Sequence, residues 1–112
     1  MGKRSYLGFT EVEADAGRVR LSGDALTAIG VEPGGEVFAG VHNRVITFGA
    51  TREIVEDFAM EIFPRPVNDE GFIEFPPIVT DWSPIFSGRD VCLFGVEVEN
   101  GGKVVKAQAQ PK

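Results

Sequence analysis

Two stretches of this chain repeat one another: "ADAGRVRLSGDALTAIGVEPGGEVFAG", residues 14–40, and "NDEGFIEFPPIVTDWSPIFSGRDVCLF", residues 68–94. A shift of 54 positions, without gaps, lays Asp15 on Asp69, Gly17 on Gly71, Gly34 on Gly88 and Val37 on Val91. Val19 then meets Ile73, Leu21 meets Phe75, Val31 meets Ile85 and Glu36 meets Asp90. Glycines and apolar residues thus recur in one order at one spacing, which binds the fold of the second half to that of the first. At 112 residues the chain is one compact domain, or two small units that share a core.

Each copy reads as turn, strand, short segment, turn and strand. "RVRL" and "FIEF" alternate with period two, so Val19 and Leu21 share one face, as do Ile73 and Phe75. A glycine precedes each strand, where a positive φ costs little. In the first copy Ala25, Leu26 and Ile29 form a small apolar helical face, which Ser22 or Asp24 can cap and Gly30 can end. In the second, Pro76 and Pro77 open a turn of helix that Pro84 closes. Val41–Arg44 and Asn100-Gly101 mark two hairpins. "YLGFTEVEA" reads as an opening strand; its counterpart "EIFPRPV" carries Pro64 and Pro66, which confine it to an edge or an irregular segment. Between the copies, Thr51 can cap a connecting helix of about three turns with Ile54, Val55, Phe58 and Ile62 on one face. That face either packs on the rest of the protein or binds a partner. The chain therefore divides into a first unit over 1–50, a connecting helix over 51–63 and a second, divergent unit over 64–112.

Composition narrows the function classes. Nine Phe against one Tyr and one Trp indicate a core filled with large rings. No apolar run has membrane-spanning length and the start lacks a signal-peptide core, so no membrane partner and a cytoplasmic location are expected. Cys92 is single and reads as an inert strand residue, and His42, the one histidine, reads as a turn residue. No cofactor and no metal site are expected. Glu97 and Glu99 share a strand face, but no triad, phosphate loop or metal spacing accompanies them, so an enzyme is not expected. Residues 51–70 carry two Arg against six Asp/Glu, −4 of the net −6, so the acidity is concentrated at the middle of the chain.

"GRVRLSGDALTAIGVEPGGEVFAGVHNRVITF" resembles the swapped-hairpin domain of AbrB, SpoVT and MazE. The parallels are Gly17-Arg18, the strand Val19–Leu21, Ile29-Gly30-Val31, Pro33-Gly34-Gly35 and the hairpin through Asn43. Two such units in one chain are similar in layout to the MraZ regulators. The resemblance implies a mostly β fold: tandem swapped-hairpin-like units forming a small β-barrel, with short helices and one connecting helix. It also implies DNA binding through basic residues of the opening turn and strand. Arg18 matches the Gly-Arg position, Arg20 lies on the same side at period two, and Lys3, Arg4 and Arg44 complete the set. Arg18 and Arg20 are equally readable as ordinary solvent-facing strand residues.

The sequence departs from the family at informative places. Ala25-Leu26-Thr27 stands where the small helix often carries arginines, and Ser22 stands where proline is usual. In the second unit Phe72 takes the arginine position and Glu74 follows, which repels phosphate. Two readings remain. One is a DNA-binding transcriptional regulator, dimeric or larger, whose first unit touches DNA. The other is an antitoxin-like or scaffold module without a DNA surface, with Phe72, Trp82 and Phe86, where exposed, anchoring a protein partner.

Overall fold

The computed structural model describes residues 4–10, 12–13, 17–42, 45–77, 91–97 and 102–109. Among these residues, nine strands and two helices follow one another: β1 (Arg4–Thr10), β2 (Val12–Glu13), β3 (Arg18–Arg20), α1 (Gly23–Ile29), β4 (Glu36–His42), β5 (Val45–Gly49), α2 (Arg52–Glu56), β6 (Glu61–Pro66), β7 (Phe72–Glu74), β8 (Val91–Glu97) and β9 (Lys103–Ala109). They form two antiparallel sheets, one of six strands in the order β1-β8-β9-β5-β4-β6 and one of three in the order β2-β3-β7.

That order is a palindrome of the two halves. Under the repeat, β1 corresponds to β6, β3 to β7 and β4 to β8, and the hairpins β4-β5 and β8-β9 correspond to each other. The two hairpins meet in the middle of the large sheet through β5 and β9. The opening strand of each half crosses to the hairpin of the other: β1 lies along β8, and β6 along β4. In the small sheet, Arg18 faces Glu74, Val19 faces Ile73 and Arg20 faces Phe72, so an approximate twofold axis passes between Val19 and Ile73. Flanking hydrogen bonds obey the same symmetry. Leu21 N–H donates to the Gly71 carbonyl at 2.9 Å, and its counterpart Phe75 N–H donates to the Gly17 carbonyl at 2.9 Å.

Local sequence explains why each half turns into that pairing. Gly17 and Gly71 hold φ of 66° and 89°, the left-handed region that other residues avoid. At Gly71 the approach is also close, because a Cβ there would stand 2.6 Å from the Leu21 carbonyl oxygen. Asn68 shapes the loop before it: its side-chain oxygen accepts from the Glu70 and Phe72 amides, both at 2.9 Å.

The core lies between the two sheets and α1. It contains Val19 and Ile73 of the small sheet, Leu21 and Phe75 just after β3 and β7, and Leu26 and Ile29 of α1. Opposite stand Val37, Ala39, Ile46, Phe48, Val91, Leu93, Val105 and Ala107 of the large sheet. Ser22 caps α1 by accepting from Ala25 N–H, and Gly30 ends it at φ 72°. On the other face of the large sheet α2 packs across β4 and β5. Gly40 makes this possible, since a Cβ there would meet Val55 at 2.6 Å and Ala59 at 2.7 Å.

The mostly β expectation holds, but two details differ. Among the described residues the large sheet does not close into a barrel: β1 and β6 are its ends, and the small sheet stands apart across the core. Pro64 and Pro66 on β6 lack the N–H groups that a closing neighbour would need. The connecting helix is also shorter than its apolar spacing predicts. Thr51 caps it, accepting from Ile54 N–H, but it ends at Glu56. Ile62, assigned by period to the helical face, belongs instead to β6 opposite Gly40. Strand pairing with β4 overrides the helical spacing there.

Candidate functional site

The small sheet carries the expected arginines. Arg18 and Arg20 stand two residues apart on β3, and their guanidinium carbons lie 4.5 Å and 5.9 Å from the centre of one ring, that of Phe72. The period-two reading thus brings the two cations to one side. Phe72 is only 7% exposed. Its expected role as an exposed anchor is corrected: it is a buried floor under two arginines. The ring's electron-rich face favours cations there.

Both guanidinium groups have further partners. Arg18 forms an ion pair with Glu13 on the neighbouring β2, its Nε donating to Oε1 at 3.1 Å. Arg20 Nε donates to the Glu70 carbonyl at 3.0 Å, in the loop that Asn68 organises. A third cation, Arg65 of β6, donates from Nε to the Glu74 carbonyl at 2.7 Å. The hydrogen bond to Glu13 holds the Arg18 guanidinium above its ordinary range, with the charges of Glu13, Glu74 and Glu70 adding to it against a smaller opposing effect of burial. Arg18 therefore keeps its charge, and a carboxylate partner already meets it.

The remaining expected residues are less informative. Arg4 opens β1, and its side chain lies outside the described residues, as do Lys3, Arg44, Trp82 and Phe86. Cys92 is buried in β8, and His42 is an exposed residue at the end of β4. Among the described residues no three His, Cys, Asp or Glu side chains gather as a metal site, and no helix is long and apolar enough to cross a membrane.

Sequence reasoning missed Glu13, Arg65, Glu70 and Asn68. "NDEG" was a readable signal for Asn68, since Asn is prone to accept hydrogen bonds from backbone amides just after it. The involvement of Glu13 and Glu70 depends on which strands and loops become neighbours, which no local pattern states.

A second surface lies on the opposite side of the large sheet. Glu53, Glu56, Asp57 and Glu61 are exposed on and after α2, and Met60 beside them is 93% exposed. Comparison of the chain with protein-family models, curated proteins and solved structures finds no match.

Proposed function

We propose that this chain is a tandem swapped-hairpin-like module that acts by protein association rather than by binding DNA. The exchange of opening strands between the halves supports the swapped-hairpin reading. The observation that carries the functional reading is the internal commitment of the arginine strip. Arg18 is paired with Glu13, Arg20 is tied to the Glu70 carbonyl, and the carboxylates of Glu70 and Glu74 act on Arg18. A DNA phosphate approaching this strip must displace one carboxylate and pass two more, whereas phosphate binding calls for uncompensated cations. The acidic α2 side, with exposed Met60 among Glu53, Glu56, Asp57 and Glu61, favours a protein partner of net positive charge.

The alternative, a DNA-binding transcriptional regulator working as a dimer or larger cytoplasmic assembly, has one observation in its favour. Arg18 and Arg20 stand side by side, and the Arg18–Glu13 pair is partly open to solvent, at 31% and 42%. Exposed ion pairs are worth at most about 1 kcal/mol and yield to competition. Fluorescence anisotropy with mixed short DNA duplexes at low and moderate salt separates the readings. The proposal expects no binding that depends on Arg18 and Arg20. Salt-sensitive binding abolished by the double variant Arg18→Ala/Arg20→Ala would overturn it in favour of the regulator.

A further inference from the structure

We draw no further inference here: the strongest candidate, the groove between α2 and the β8–β9 hairpin lined by Thr51, Glu53, Ile54, Asp57 and Gly102, is an acidic cluster beside a short helix, and nothing in the structure shows what its carboxylates would hold.

Discussion

At the centre of the molecule, β3 and β7 have matching backbones and opposite chemistry. Both follow a glycine in the left-handed region, both place an aliphatic residue on the approximate twofold axis, and both are flanked by the same hydrogen bond. Yet β3 presents Arg18 and Arg20, where β7 presents Phe72 and Glu74. The backbone requirement is shared because each strand completes the other. The outward side chains have no such obligation, and the second half uses them to floor and neutralise the arginines of the first. The ends of the large sheet tell the same story, since β1 contains no proline and β6 carries two. Symmetry belongs to the residues that face inward, Val19 and Ile73, and is absent from those that face outward.

The strongest way to break this comparison is at the axis. Val19 and Ile73 are both fully buried, and Ile73→Ala should cost about 3 kcal/mol of stability, as cavity-forming core truncations do. Val19→Ala should cost somewhat less, about 2 kcal/mol. Urea denaturation of the two single variants and the double variant should reveal coupling of at least about 0.5 kcal/mol, because the residues face each other. Additive losses would place them in separate environments.

Restoring chemical symmetry is the next test. Phe72→Arg puts the residue of β3 into β7, removing the ring beneath Arg18 and Arg20 and adding a further guanidinium beside them. The expected loss is about 2 kcal/mol, partly recovered by added salt. A neutral effect in thermal unfolding at low salt would mean that Phe72 does not support the two arginines.

Asn68 offers a finer contrast, because the repeat places Ala14 at the equivalent position. Asn68→Ala leaves the Glu70 and Phe72 amides without their side-chain acceptor and should cost about 1 kcal/mol. Hydrogen exchange at those two amides should accelerate more than at the β8 amides.

Legibility followed the range of the interaction. Gly17, Gly71 and the caps Ser22 and Thr51 were readable because each answers a need within a few residues. The strand exchange was not readable from periodicity, which shows that Val19 and Ile73 face inward but not that they face each other. The α2 helix was overextended for a related reason. Phe58 and Ile62 fit a helical stripe by spacing, while the competing partner of Ile62, Gly40 on β4, lies far along the chain. At the candidate site Arg18 and Arg20 were found, but their carboxylate and carbonyl partners were not. Those partners leave the strip with less uncompensated positive charge than its two arginines suggest.

The smallest expected effect concerns the packing of β1 on the other half. Tyr6 makes a tilted ring contact with Phe94 at 5.7 Å, and its phenol is raised above the ordinary range, by burial first and by neighbouring Cys92 second. A raised value favours the neutral phenol in the folded state. The contribution is therefore complete below the ordinary tyrosine range and is lost as pH rises through the folded value. Tyr6 is the single tyrosine, so its absorbance should titrate later in the folded than in the denatured protein. Coincident titrations would argue against this packing.

The central claim is that each half lends its opening strand to the other half's hairpin, and nuclear Overhauser contacts in the full chain test it most directly. The account predicts cross-strand contacts between Tyr6 and Phe94, Ala39 and Phe63, and Val19 and Ile73. Contacts placing β1 along β4 and β6 along β8, each strand against its own hairpin, would contradict it.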